Sequence, residues 1–229
     1  MTTIIVEGSR AVGYIITYTI IMSRFNTLPM DFDEVDTEQL TISERVSRTS
    51  DGYSANIKYD NKTLLIVTPI LRIVFPLRKY DYGSIVKKHA LCLSLDPSQD
   101  YAEAFRVWLE EINEMAKSQM GEYEGEVEKL NQYKQIHYHK EGRFPPYLRC
   151  KMVNNKEQFK CDIFKNGEKM DGAIDYVDGM LKKGVKVQCH LQLNPLWKFK
   201  DRYGVSYQIK AINVLDEQVE VFKSFGEDR

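Results

Sequence analysis

Leu196-Trp197-Lys198-Phe199-Lys200-Asp201-Arg202-Tyr203-Gly204-Val205-Ser206-Tyr207-Gln208-Ile209-Lys210 interleaves aromatic and basic side chains across a turn, and the runs on either side of that turn set the fold. Upstream, Val185, Val187, Cys189, Leu191 and Leu193 alternate with Lys186, Gln188, His190, Gln192 and Asn194. Downstream, Val205, Tyr207, Ile209 and Ala211 keep the same period of two. Alternation of this kind gives a long hairpin with one buried and one polar face.

The same signal recurs along the chain. Leu40, Ile42, Glu44 and Val46 alternate up to an Asp51-Gly52 turn, residues 53–59 return, and Asp60-Asn61-Lys62 turns again. Leu64-Leu65-Ile66-Val67 stops at Thr68-Pro69, and residues 70–75 run on to Pro76, where proline removes an amide donor. Further strands are expected at 90–95, 133–139 and 148–153, and around Phe159, Cys161 and Ile163, where Asn166-Gly167 marks a tight hairpin. Residues 174–181 read as a brief helix or turn. One substantial helix opens at Asp96-Pro97 or Ser98, with Phe105, Trp108, Leu109, Ile112 and Met115 or Ala116 on its apolar face and Glu103, Glu110, Glu111 and Glu114 on the other. Nine or ten strands and one helix predict a mainly β (α+β) fold, an antiparallel β-barrel with an inserted acidic amphipathic helix. Residues 1–38 read as an N-terminal arm, 39–215 as the barrel domain and 216–229 as a short C-terminal tail.

With 43% hydrophobic and 28% charged residues, the 229-residue chain has ample material for a core. Its longest apolar run, residues 11–22, is broken by Gly13, Thr17 and Thr19 and is about half of what a membrane helix needs. The start has no basic stretch and cleavage site of a secretory signal, so an intracellular, reducing location is expected, without membrane contact. Cys92, Cys150, Cys161 and Cys189 lie far apart and form no Cys-x-x-Cys pair, which predicts buried free thiols. His137-Tyr138-His139 has no acidic or thiol neighbour in sequence, and neither a metal nor another cofactor is expected.

The net charge of -1 hides a segregation. Residues 1–131 carry 14 Lys+Arg against 20 Asp+Glu, residues 132–202 carry 15 against 8, and residues 203–229 carry 3 against 5. A phosphate backbone responds to local potential, so the positive middle block is the quantity that matters.

In that block and the strand directly after it, Trp197, Phe199, Tyr203 and Tyr207 are candidates to stack on bases, and Lys186, Lys198, Lys200, Arg202 and Lys210 to meet phosphates. Tyr203, beside Gly204 at the turn, is the ring expected to be most exposed. Trp197 and Tyr207 read equally well as core residues. Strand alternation raises a conflict: Trp197 and Phe199 share one face while Lys198 and Lys200 share the other, unless the ribbon is twisted or bulged. A second cluster, Lys140, Arg143, Tyr147, Arg149 and Lys151, surrounds the Phe144-Pro145-Pro146 bend. Enzyme signatures are missing: there is no phosphate-binding Gly-x-x-x-x-Gly-Lys, no Gly-x-Ser-x-Gly and no His-Glu-x-x-His. A non-enzymatic binding protein is the expectation.

Over residues 40–215 the order of motifs resembles the single-stranded DNA-binding proteins of large nucleocytoplasmic DNA viruses, such as that of African swine fever virus. The resemblance is carried by the strand ending in Thr68-Pro69 and by Leu93-Ser94-Leu95 before the amphipathic helix. The Phe144-Pro145-Pro146-Tyr147-Leu148 bend and Trp197 followed by Tyr203-Gly204-Val205-Ser206-Tyr207 add to it. It implies an oligonucleotide/oligosaccharide-binding (OB) barrel that coats single-stranded DNA without sequence preference during viral replication, repair or recombination. Replication proteins would be its partners, in the host cytoplasm at a viral factory or in the nucleus. The expected groove is lined by Arg143, Tyr147, Arg149, Lys151, Lys186, Trp197, Lys198, Phe199, Lys200, Arg202 and Tyr203. RNA stays open as a ligand, because stacking and phosphate contacts do not read the sugar. The alternative is a virion or scaffold component that self-associates through its segregated acidic and basic surfaces.

Overall fold

The computed structural model describes residues 29–80, 88–139, 142–155 and 157–216. In chain order its principal elements begin with β1 (Val46–Thr49), β2 (Gly52–Ala55), β3 (Leu65–Val67), β4 (Leu71–Tyr80), β5 (Lys88–Ser94) and α1 (Ala102–Glu124). They continue with β6 (Asn131–Tyr133), β7 (Tyr147–Met152), β8 (Asp162–Lys165), α2 (Ile174–Met180), β9 (Lys186–Leu193), β10 (Leu196–Phe199), β11 (Arg202–Gly204) and β12 (Tyr207–Leu215).

Five of these strands close into a ring: β4 pairs with β5, β5 with β7, β7 with β12, β12 with β9, and β9 again with β4. Every pairing is antiparallel except β7 with β12, which run parallel and meet at Lys151 and Gln208. Numbered within the ring, the strand order is 1-2-3-5-4-1, with α2 between the third and fourth strands, which is the plan of an OB barrel. Inward-facing side chains fill it: Leu71, Ile73, Leu91, Leu93, Leu148, Cys150, Val187, Cys189, Tyr207 and Ile209 are all buried. All four cysteines are buried thiols, and burial pushes each thiol pKa up, which suppresses the reactive thiolate.

Two turns follow from their residues. Asn166 and Gly167 both take positive φ, 48° and 85°, the type I′ geometry that Asn-Gly favours. Asp60 and Asn61 do the same at 47° and 59° between the strands Ile57–Tyr59 and Lys62–Thr63. The helix, by contrast, begins at Ala102 and not at Asp96-Pro97 or Ser98. Asp96 instead builds a turn, its carboxylate accepting from the Ser98 amide at 3.0 Å and its carbonyl from the Gln99 amide at 2.9 Å.

The apolar face of α1 buries Phe105, Trp108, Leu109, Ile112, Ala116 and Met120. Part of what it covers belongs to the expected N-terminal arm. Phe32 meets Phe105 edge-on at 5.1 Å, and the Trp108 indole donates to the Val35 carbonyl at 3.2 Å. Residues Met30–Asp31 pair with β3, so the described end of the arm is joined to the core. Residues 1–28 of the arm and 217–229 of the tail lie outside the described residues. Among the described residues no helix is long and apolar enough to cross a membrane.

β9 carries a register shift between His190 and Leu191, and both side chains end up buried. Burial pushes His190 down to about 4. Its folded pKa is thus below the unfolded value near 6.5, so its contribution to stability is complete above pH 6.5 and is lost as pH falls towards 4. The loss amounts to roughly 3 kcal/mol by the low end of that window. Urea midpoints at pH 7 and pH 4.5 are expected to differ less in His190→Gln than in the parent chain.

Candidate nucleic-acid interface

The ribbon β10–β11 interrupts the barrel between β9 and β12 and belongs to a second sheet, ordered β6-β11-β10-β2-β1. Alternation divides β10 between two environments. On one face Lys198 stands opposite Tyr53 of β2 and Tyr203 of β11. This face turns to the C-terminal end of α1, where the Lys198 ammonium lies 3.2 Å from Glu124 and the Tyr53 hydroxyl donates to the same carboxylate at 2.8 Å. Burial alone would raise the Glu124 pKa, but hydrogen bonds from Tyr53 and Lys198 and the charges of Lys198 and Arg45 outweigh it, and the carboxyl sits below its usual range. Lys198 is therefore already neutralised within the chain. Tyr203 is only 2% exposed. The expectation that it is the most exposed ring is corrected: β11 sends it to the same side as Lys198, and α1 covers that side.

The opposite face carries Trp197 and Phe199. Trp197 is flanked by Ser54 and Gly204, and Phe199 by Gly52 and Arg202. Both rings lie next to a glycine for a steric reason. A Cβ on Gly52 would sit 2.8 Å from the Lys198 carbonyl oxygen and 3.1 Å from the Phe199 ring, and one on Gly204 would sit 2.8 Å from the Tyr133 carbonyl oxygen. Trp197 leans on Tyr133, with centroids 5.9 Å apart, and stays half-buried, whereas Phe199 is 48% exposed. Gly52→Ala is expected to displace the Phe199 ring and the β10 backbone and to cost about 1–3 kcal/mol of stability, measured by chemical denaturation.

The conflict between rings and cations is resolved by the turn and by neighbouring strands. Lys200 takes a left-handed conformation (φ 53°), which breaks the alternation and brings its ammonium 5.6 Å from the Phe199 centroid. Arg202, exposed on β11, is paired directly with Phe199. Arg48 arrives from β1, where the register shifts between Ser47 and Thr49 so that Arg48 is the extra residue of a bulge. Its Nε donates to the Ser54 hydroxyl at 2.8 Å. Lys151 arrives from β7 and donates to the Ser206 hydroxyl at 2.9 Å, and Asn194 Nδ2 donates to that oxygen at 3.1 Å. Together Arg48, Lys151, Ser54, Trp197 and Phe199 line an open groove of about 390 Å³.

From Lys151 the path continues along β7. Tyr147, Arg149 and Lys151 point outward while Leu148, Cys150 and Met152 are buried. The outward stripe spans roughly 13 Å from Tyr147 to Lys151. At its far end Tyr147 stacks on His137 (5.1 Å, 17°) and meets Phe75 edge-on at 5.3 Å, and Phe75 meets Phe144 at 5.6 Å. Two cations sit over these rings: Arg78 is 4.2 Å from the Phe75 centroid and Lys183 is 5.6 Å from that of Phe144. Burial, with Arg149 nearby, lowers the His137 pKa, which keeps the imidazole neutral at pH 7. Arg143, exposed, precedes Phe144 in the adjoining loop.

The structure thus brings Lys151, Trp197, Lys198 and Phe199 to one groove, sets Lys200 and Arg202 beside Phe199, and places Tyr147, Arg149 and Arg143 on its continuation. It does not bring in Lys186. That residue pairs with Arg72 and Leu215 at the opposite end of β9 from Leu193, roughly 23 Å away along the strand. Tyr207 is a barrel core residue. Arg48, Phe75, Arg78, His137 and Lys183 were not among the expected site residues.

No protein-family model and no curated protein matches the chain. Among solved structures it is similar to gp2.5, a single-stranded DNA-binding protein encoded by bacteriophage T7, with a TM-score of 0.47 at 12% identity over 73% of this chain and 98% of that one. It is also similar to the single-stranded DNA-binding protein from bacteriophage Enc34, with a TM-score of 0.44 at 10% identity over 76% of this chain and 89% of that one. The same Enc34 protein in complex with single-stranded DNA gives a TM-score of 0.45 at 10% identity, over 76% of this chain and 94% of that one.

Proposed function

We propose that this chain is a non-enzymatic protein that binds single-stranded DNA without sequence preference, through the outer face of β10 and the outward stripe of β7. The observation that carries the reading is the sorting of β10. Its two rings line a groove with Arg48 and Lys151, and Lys200 and Arg202 stand beside Phe199 at its edge, while Lys198, which also borders the groove, has its ammonium paired with Glu124. Rings offer a face to any base, and cations meet the repeating phosphate, so neither selects a sequence. The viral resemblance in the sequence supports a role in DNA replication, repair or recombination.

Four groove cations set a quantitative expectation. Neutralising about four phosphates of a single strand gives a log-log salt slope near -2.8. Fluorescence anisotropy with a mixed-sequence oligonucleotide over a salt series measures it, and binding that ignores salt would remove the reading. An RNA oligonucleotide belongs in the same titration, because none of the groove contacts reads the sugar.

A further inference from the structure

Beyond the ribbon, ring contacts run from Tyr147 to Phe75 and on to Phe144, which His139 meets edge-on at 5.4 Å. Phe75 sits level with Arg149 through Cys92, and Arg78 level with Lys151 through Ala90, so β4 lies two strands, roughly 10 Å, from the stripe of β7. Cys92 and Ala90 are small and buried, and the larger side chains close over them. Phe75 and Phe144 are half-buried and each carries a cation: the Arg78 guanidinium lies 4.2 Å from the Phe75 centroid and the Lys183 ammonium 5.6 Å from that of Phe144. A base laid on either ring would have to displace another ring or a cation. Phe199, by comparison, is 48% exposed. At this end the cations are the open groups. Arg78 and Lys183 are both exposed, and neither side chain has a hydrogen bond or an ion pair among the described residues. A ring beneath a cation also limits its rotamers, so less entropy is lost when an anion arrives.

We propose that Arg78 and Lys183, seated on Phe75 and Phe144, form a clamp that takes the sugar-phosphate backbone of the strand beyond Tyr147 and makes no contact with its bases. This rests on the reading of the β10 groove as a single-strand site and adds to it a second station of different chemistry. At the ribbon two rings offer their faces to bases; at the clamp the rings hold cations, and the cations meet phosphates. Arg78 brings a planar fork that matches phosphate oxygens, and Lys183 brings a point charge. The two ends of the site are therefore unlike, and only one of them needs a base.

The test compares a thymidine core of about six nucleotides, at the low end of what one such barrel covers, with the same core carrying about six abasic residues at each end. Such a flank exceeds the roughly 13 Å from Lys151 to Tyr147 and has no base to stack. Anisotropy salt series are run on the parent chain and on the Arg78→Gln/Lys183→Gln double variant, whose changed positions are exposed and outside the core. In the parent chain the abasic flanks are expected to tighten binding by about tenfold at moderate salt, and to steepen the log-log slope by about 1.4 more than they do in the double variant. Thymidine flanks of the same length should lose the same factor in the double variant, to within about twofold. Abasic flanks that gain nothing in the parent chain, or gain as much in the double variant, would overturn the inference, as would a loss confined to thymidine flanks. Binding of the bare core would survive each of these results. Failure of the core and of every flanked strand to bind would instead remove the single-strand site itself.

Discussion

Trp197→Ala is expected to weaken single-strand binding by roughly 5- to 150-fold, the loss of one base-stacking platform worth about 1–3 kcal/mol. Trp197 is the half-buried ring of the pair, so its face is preset by Tyr133 and little is spent on ordering it when a base arrives. The same contact means that alanine also removes packing within the second sheet. Trp197→Phe separates the two effects, because it keeps an aromatic face of smaller area. Its affinity should fall only a few-fold. Trp197 is half-buried and outside the fully buried core, so thermal midpoints of both variants should stay within a few degrees of the parent.

The second large effect is expected from reversing Arg48 and Lys151 together. The two cations reach the groove from β1 and β7, each held by a serine hydroxyl. Changing both to glutamate removes two phosphate contacts, so the salt slope should shrink from about -2.8 to about -1.4. Affinity at moderate salt should fall by a hundredfold or more, since two charge-assisted contacts of about 1.5–3 kcal/mol each are replaced by repulsion. Lys186→Glu is the control: it changes the net charge in the same direction by half as much, roughly 23 Å along β9 from the groove. Its slope should be that of the parent chain. A loss per reversed charge in Lys186→Glu equal to that of the double variant would mean that the response follows net charge and not a site.

The ribbon and the strands around it were legible because period-two alternation is a local property. Val187, Cys189 and Leu191 mark an inward face whatever the rest of the chain does. The Asn166-Gly167 turn was legible for the same reason, since those two residues tolerate positive φ better than most. What alternation does not carry is which face of a second sheet is covered. Tyr203 and Lys198 share a side, as the pattern requires, but only the position of α1 decides that this side is buried.

Arg48 was hidden twice. It lies in the acidic first segment, and it reaches the groove through a bulge, which leaves no mark in the residue pattern. Phe75 and Arg78 of β4 reach Phe144, Tyr147 and Lys183, which lie far along the chain, only when the barrel closes. Lys186 shows the converse: it obeys the same alternation as the groove residues and still lies at the wrong end of its strand. The parallel contact of β7 with β12 that completes the ring has no sequence signal of its own.

Photo-cross-linking of an oligonucleotide carrying 5-iododeoxyuridine, followed by mass spectrometry of the digested protein, tests most directly which surface holds the strand. Adducts on Trp197, Phe199 and Tyr147 are expected, and they should vanish with excess unlabelled single strand. Adducts concentrated on Tyr101 and Tyr138, both exposed rings outside the groove, with Trp197 and Phe199 unmodified, would contradict the account.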